Sequence, residues 1–331
     1  MHFGAVDWET AVWVNGKPAG MHRGGYDPFT FDVTSLLAPG GGSQRLEISV
    51  WDPSDEGPQP RGKQVSKPGG IWYTPVTGIW QTVWLEAVPQ TFIKSLQISP
   101  DVDGKLLKVA IRTLGADKVT ARVNIPALGV SGEGASGSAI EVGLKEFELW
   151  SPGNPKLYDL EVELLSGGKT VDRVESYFGM RKISLGKDQN GIPRILLNGE
   201  PLFQFGPLDQ GWWPDGLYTA PSDEALRYDL EITRKLGFNM VRKHVKVEPL
   251  RWYYHCDRMG LLVWQDMPNG GVNARWPLDG TELRRDEGEK AQFDRELDAL
   301  IDTHRNQVSI VAWVPFNEAW GQFDTARVTR H

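Results

Sequence analysis

The chain is poor in cysteine: Cys256 is the only one among 331 residues. A lone cysteine can form no intrachain disulfide and no cysteine metal cluster. Its setting, Trp252-Tyr253-Tyr254-His255-Cys256, reads as a packed helix with the thiol serving as a small apolar residue. Basic runs are also missing. None is longer than a pair such as Arg284-Arg285, and the formal net charge is −7. A nucleic-acid partner, which needs a basic face, is therefore not expected. No apolar stretch approaches the roughly 18 residues of a membrane span, so no membrane partner is expected either. The opening Met1-His2-Phe3-Gly4-Ala5-Val6-Asp7-Trp8 has no charged region followed by an apolar one, and so does not read as a secretory signal. The compartment stays open, because the sequence enters its first domain partway and a lost N-terminus would take any signal with it. No Asn-x-Ser/Thr acceptor, H-E-x-x-H, G-x-S-x-G or P-loop occurs. The histidines are scattered, so neither a metal nor a cofactor is expected.

What the chain does have is tryptophan, 14 residues of it. Most tryptophans serve as core residues with a polar handle, although their flat faces also suit sugar rings. Hydrophobic residues make up 40% of the chain, enough to build ordinary globular cores.

Three regions follow different grammars. Residues 1–89 are β-rich: Ala11-Val12-Trp13-Val14 precedes the hairpin signal Asn15-Gly16, and Arg45 to Val50 alternates at period two. Residues 90–186 again read as short strands, including Leu106–Ile111, Val119–Val123 and Tyr158–Leu164. That spacing predicts a β-sandwich. Within this region, Gly132-Glu133-Gly134-Ala135-Ser136-Gly137 matches G-x-G-x-x-G but opens no helix, so it is read as a loop between strands.

From residue 187 to 331, strands alternate with helices. Leu202–Phe205 is the first expected strand. Ser222 is a candidate N-cap for a helix carrying Leu226, Leu230, Thr233 and Leu236, with Gly237 closing it. Phe238–Arg242 follows as a strand. Pro249 and Gly260 bracket a second helix, and Leu261–Trp264 reads as a strand buried on both faces. A third helix carries Phe293, Leu297, Leu300, Ile301 and His304, and Ile310–Val314 is the last strand. Alternating β and α elements predict a parallel sheet. A complete β/α barrel takes about 250 residues, so this region amounts to the first half of a (β/α)8 TIM barrel.

In such barrels the chemistry sits at the C-terminal ends of the strands. That rule selects Asp209, Trp212 and Trp213 after the first strand, Arg242 and His244 at the second, Asp266 at the third, and Asn317 and Glu318 after the last. Glycoside cleavage needs a carboxylic acid to protonate the leaving oxygen. Glu318 fits that role, with Phe316 and Trp320 as candidate apolar walls to raise its pKa. Arg242 could hold a carboxylate in bidentate geometry. His244 and Asp209 could bind sugar hydroxyls.

Several stretches together resemble glycoside hydrolase family 2, the β-galactosidase, β-glucuronidase and β-mannosidase superfamily. Trp13-Val14-Asn15-Gly16, Gly24 to Phe29 and Gly78 to Leu85 are similar to its N-terminal jelly-roll, sugar-binding domain. Phe178 to Ile183 resembles the exit from its immunoglobulin-like domain, and Leu197 to Leu202 the entry to its barrel. Arg305 to Glu318 resembles the stretch ending in its acid/base. The resemblance implies a partial jelly roll over 1–89, an immunoglobulin-like sandwich over 90–186 and half a barrel over 187–331. It implies Glu318 as acid/base, Asn317 as ligand of the sugar 2-hydroxyl, and Arg242 as the second-strand arginine that orients a nucleophile. Trp213, Asp266, His244, Asp209 and Trp320 join as substrate-binding candidates. Gln307 stands where many members carry histidine, and Asp209-Gln210-Gly211-Trp212-Trp213 replaces a more common histidine-bearing loop.

The expected function is an exo-acting retaining β-glycosidase acting on a carbohydrate substrate, with homo-oligomers left open. The family's nucleophile is a second glutamate late in the barrel, so the sequence reads as incomplete at both ends and inactive by itself. The alternative is a non-catalytic carbohydrate-binding β protein with a vestigial barrel.

Overall fold

The computed structural model describes residues 1–115, 119–272, 274–275 and 281–330. It consists mostly of β sheets with few helices.

The N-terminal part is built from three small antiparallel sheets. In the largest, Glu9–Val14 lies between Lys17–Arg23 and Leu46–Trp51. Asn15 and Gly16 both take positive φ, 52° and 76°, as a tight I′-type hairpin turn requires. The alternation of Glu9–Val14 follows its pleat, with Thr10, Val12 and Val14 buried. Phe3, Val6, Val12 and Phe29 form the core.

Next comes a sandwich. One sheet orders Ala139–Gly143, Leu106–Leu114 and Phe92–Asp101. The other orders Val130–Ala135, Thr120–Ile125, Tyr158–Ser166 and Lys169–Phe178. Inward-facing Leu107, Val109, Ile111, Val123, Ile140 and Val162 fill the space between them. The G-x-G-x-x-G segment departs from the expected loop, because Gly132 to Ala135 are strand. A Cβ on Gly132 or Gly134 would lie 3.1 Å from Ile140 side-chain atoms. The glycines therefore serve the close approach of two strands that belong to opposite sheets.

After the short antiparallel strands Ile183–Lys187, Pro193–Leu197 and Glu200–Pro201, the pattern changes. Strands β1 (Leu208–Asp209), β2 (Met240–Lys243), β3 (Leu262–Asp266) and β4 (Ile310–Val314) form a parallel sheet in the order 1-2-3-4. Helices α1 (Asp223–Lys235), α2 (Leu250–Met259) and α3 (Glu287–His304) connect them. The caps follow local chemistry. Ser222 accepts from Ala225 N, Gly260 closes α2 in the left-handed region, and Asp286 with Glu289 forms a capping box on α3.

Two local expectations are corrected. The first parallel strand is Leu208–Asp209, not Leu202–Phe205. The Asn239 side chain takes the place of a ladder partner for the earlier segment: its Oδ1 accepts from Phe205 N and its Nδ2 donates to Phe203 O, each at 2.8 Å. Leu236 is 69% exposed rather than on the apolar face of α1, because the helix ends at Lys235 and Leu236 falls past the stripe of Leu226 and Leu230.

Both β parts are bolted to the α/β part. Arg181 donates from Nε to Val308 O and from Nη2 to Ile310 O, at 2.6 and 2.7 Å. The Trp150 indole donates to Asp257 O at 2.8 Å. On the N-terminal side, the Tyr26 and Tyr218 hydroxyls meet at 2.9 Å and the Trp8 indole donates to Glu296 Oε1 at 3.3 Å.

Glu296 gives this contact a pH dependence. Burial, with the charge of Asp27 adding to it, pushes its carboxyl up to about 8, and burial does the same for Asp7 on the N-terminal side. The folded pKa lies above the unfolded one, so the folded state favours the protonated form. The resulting stability is present at pH 4 and is lost as pH rises toward 8. Glu296→Gln keeps the neutral shape and removes that loss. We expect it to stabilise the fold at pH 8.5 by an amount on the order of 2 kcal/mol, seen as a higher melting temperature, with little change at pH 5. Equal effects at the two pH values in thermal melts would contradict the assignment.

Candidate active site

Strand ends β2 and β3 place Arg242 beside Asp266. The guanidinium donates from Nε to Oδ1 and from Nη2 to Oδ2, both at 2.9 Å, a bidentate pair. The same Nη2 donates to Asn317 Oδ1 at 2.9 Å. Asp266 is fully buried and also meets His244 Nδ1 at 3.1 Å and Val245 N at 3.3 Å. Asp266 and Arg242 together therefore tie the ends of β2 and β3 and the turn after β4 into one floor.

A second buried network lies beside it. Lys243 Nζ reaches Asp209 Oδ2 at 2.8 Å and Glu248 Oε1 at 2.9 Å, and Lys246 Nζ reaches the same Glu248 oxygen at 3.0 Å. Burial opposes the charge of Lys243, yet the Asp209 and Glu248 carboxylates hold its pKa above the ordinary value. Burial likewise pushes Asp209 up, and the Lys243 ammonium more than reverses this. Lys246 also donates to the carbonyls of Gly211 and Tyr218, at 2.5 and 2.9 Å. These bonds fix the loop that follows β1.

Past β4 the chain bends sharply. Glu318 and Ala319 take φ of 50° and 60°, and across the floor Val245 takes 45°. Non-glycine residues in this region cost of order 1–3 kcal/mol each and persist only where the surroundings hold them. Asn317 is buried at the floor, whereas the adjacent Glu318 side chain is exposed.

A loop from the N-terminal part forms one wall of this mouth. Arg61 N and Gly62 N donate to Asn269 O at 3.1 and 2.9 Å, and Gly271 N donates to Gln59 O at 3.1 Å. Gly62 sits at φ 61°, where a Cβ would lie 2.4 Å from Val245 O, so only glycine fits there. The Arg61 guanidinium lies 5.7 Å from the Trp72 ring centre and 5.4 Å from that of Trp320. Lys63 follows, its ammonium within electrostatic reach of Glu318. On the far side, Arg285 Nη2 donates to Asn269 Oδ1, Gly270 O and Gly321 O.

The structure thus brings together Arg242, Asp266, His244 and Asn317, with Asp209 one network away and Glu318 beside Asn317. The carboxylate expected in bidentate geometry at Arg242 is Asp266. Three expectations change. Phe316 turns inward to stack on Phe293 at 5.4 Å and meet Phe323 edge-on, so it does not wall Glu318. Trp213 packs against the cluster of Leu226, Leu230 and Val241. It is Trp212 that faces the N-terminal loop, stacked on Tyr73 at 4.3 Å. Trp320 is buried beneath Arg61. Sequence reasoning missed Lys243, Lys246 and Glu248, whose only signal was a charged run inside an apolar stretch. It also missed Arg61, Lys63 and Arg285, which carry no local signal.

Residues 91–181 match the family model described as glycosyl hydrolases family 2. A beta-galactosidase of Thermoanaerobacter pseudethanolicus is 27% identical over 98% of this chain and 43% of its own length. The chain thus spans about two fifths of that relative. Among solved structures, a beta-glycosidase from Bacteroides vulgatus shares the fold at TM-score 0.77 and 22% identity, over 99% of this chain and 41% of that one. The Bacteroides uniformis beta-glucuronidase 3 does so at TM-score 0.76 and 24% identity, over 99% and 42%. The family 2 model thus covers the sandwich segment, and along nearly its whole length the chain is similar to a beta-galactosidase and shares its fold with beta-glycosidases.

Proposed function

We propose that the chain carries the acid/base half of an exo-acting, retaining β-glycosidase of β-galactosidase-like type, acting on carbohydrate O-glycosides. In this reading residues 1–89 are a jelly-roll domain, 90–186 an immunoglobulin-like sandwich, and 187–331 the first half of a (β/α)8 barrel. Glu318 protonates the leaving oxygen and then activates water. Asn317, held by Arg242, meets the sugar 2-hydroxyl. Asp209 and His244 orient the floor on which the sugar lies, and Asp266 keeps Arg242 in place. The observation that carries the reading is the Asp266–Arg242–Asn317 chain of bonds, with the exposed carboxyl of Glu318 on the next residue.

Retaining chemistry needs a second carboxyl about 5–5.5 Å from the first. Asp266 and Asp209 are already paired with Arg242 and Lys243, so neither is assigned as nucleophile. That group is proposed to come from sequence other than these 331 residues. The test is hydrolysis of aryl β-galactosides and β-glucuronides by the protein that carries this chain, with the product anomer followed by NMR. Release of the β-anomer first is expected. An inverted product overturns the retaining route. Sugar binding without any hydrolysis favours the non-catalytic carbohydrate-binding reading instead.

A further inference from the structure

Among the described residues no hydrogen bond or ion pair within 4 Å holds the exposed Glu318 carboxyl. Its position is set by its backbone. Glu318 and the next residue, Ala319, both lie in the left-handed region, and neither is glycine. Such a turn persists only where its surroundings hold it. On its N-terminal side Arg242 holds the Asn317 side chain. On its C-terminal side the hold comes from two buried side chains, Asn269 after β3 and Arg285 just before α3.

Asn269 Nδ2 donates to Trp320 O at 2.5 Å. Arg285 Nη2 donates to Gly321 O at 2.6 Å and braces Asn269 through its Oδ1 at 3.0 Å. Trp320 N closes the turn onto Asn317 O at 2.7 Å, and Leu283 N adds a bond to Gln322 O at 2.8 Å. The fit is tight. Gly321 lies at φ 67°, where a Cβ would stand 2.8 Å from Arg285 Nη2 and 3.1 Å from the Asn269 side chain. Burial pulls Arg285 down to about 10 while the charge of Glu289 pushes back, so the guanidinium is a cation at neutral pH. The two Glu289 oxygens take the amides of Val272 and Asp286, at 3.0 and 3.3 Å. The Arg285 bonds therefore go to Asn269 Oδ1 and to the Gly270 and Gly321 carbonyls.

From this geometry we infer that Asn269 and Arg285 are positioning residues for Glu318: they clamp the turn 317–321 and so fix where its carboxyl stands. Both act through the backbone of the turn. The inference rests on the proposed glycosidase reading, in which Glu318 is the acid/base. Proton transfer needs the acid within hydrogen-bond reach of the leaving oxygen. A misplacement of about 1 Å can cost on the order of 100-fold. Asn269 also joins this turn to the N-terminal wall, because its carbonyl accepts from Arg61 N and Gly62 N.

The test uses the protein that carries this chain and two aryl β-glycosides of one sugar, phenyl and dinitrophenyl. The phenyl leaving group needs a proton and the dinitrophenyl group does not. The readout is the ratio of kcat/KM on the first to that on the second. A merely structural loss lowers both and leaves the ratio where it was. Arg285→Ala and Asn269→Asp are each expected to lower the ratio about 10- to 100-fold. Asn269→Asp keeps the size of the side chain and an acceptor for Arg285 but loses the donor to Trp320 O, so it carries the test if Arg285→Ala does not fold. Arg285→Lys keeps a cation with donors and should recover part of the ratio. In a Glu318→Gln background neither substitution should lower the ratio further. Equal losses on both substrates, or no loss, with the ratio still falling in Glu318→Gln, overturn the inference alone. A ratio that Glu318→Gln itself does not move overturns the acid/base reading and this inference with it.

Discussion

On the proposed acid/base role, replacing Glu318 by glutamine in the protein that carries this chain is expected to lower kcat/KM on glycosides with poor leaving groups by about 10²–10⁴-fold. The amide keeps the size of the side chain and its bent backbone, but it can neither deliver a proton nor take one. Substrates whose leaving group is already acidic, such as dinitrophenyl glycosides, need little protonation and should lose far less in the first step. Their hydrolysis then stalls at the second step, where a base must activate water. Added azide needs no base, so it should restore turnover and yield a β-glycosyl azide. A loss below about threefold on poor leaving groups, or no rescue by azide, would remove Glu318 from the acid/base role. Because Glu318 is exposed and Asn317 carries the buried bonds, the fold of the variant should be intact. Its melting temperature checks that directly.

The largest expected effect on stability belongs to Asp266→Ala. This fully buried carboxylate accepts from both nitrogens of the Arg242 fork, faces His244 and takes the Val245 amide. Its removal strands a largely buried guanidinium and releases the amide of a residue held at φ 45°. Breaking a buried ion pair from one side typically costs about 3–5 kcal/mol. In a chain of this size that corresponds to a fall in melting temperature of roughly 10 °C. Asp266→Asn should fall between the two, since it keeps an acceptor but presents an amide donor to the other guanidinium nitrogen. Arg242 would also lose the anchor that aims it at Asn317, so the retained activity of Asp266→Asn should drop mainly in kcat. A melting temperature for Asp266→Ala within about 2 °C of the unaltered protein would show that the floor does not depend on this carboxylate.

Much of this could be read without coordinates because it is local. The Asn15-Gly16 turn, the Ser222 cap, the Pro249 and Gly260 brackets and the Ile310–Val314 strand follow from short-range backbone chemistry. The order of strands and helices then placed Asp209, Arg242, Asp266 and Asn317 at strand ends, since a parallel sheet leaves those ends on one side. Glu318 was legible for the same reason.

What the sequence alone could not decide was who pairs with whom. That Arg242 holds Asp266, that Phe316 turns inward, and that Trp212 rather than Trp213 meets the N-terminal loop all depend on side-chain directions set by packing across elements. The Arg61–Gln64 wall depends on contacts between segments some two hundred residues apart in the chain, such as Arg61 N to Asn269 O. No periodicity or spacing encodes a contact of that range. It exists because Gly62 lets two backbones approach closely beside Val245. The sequence by itself determined where an acid could stand. The tertiary structure determined which charges surround it, because electrostatic partners are chosen by distance in space.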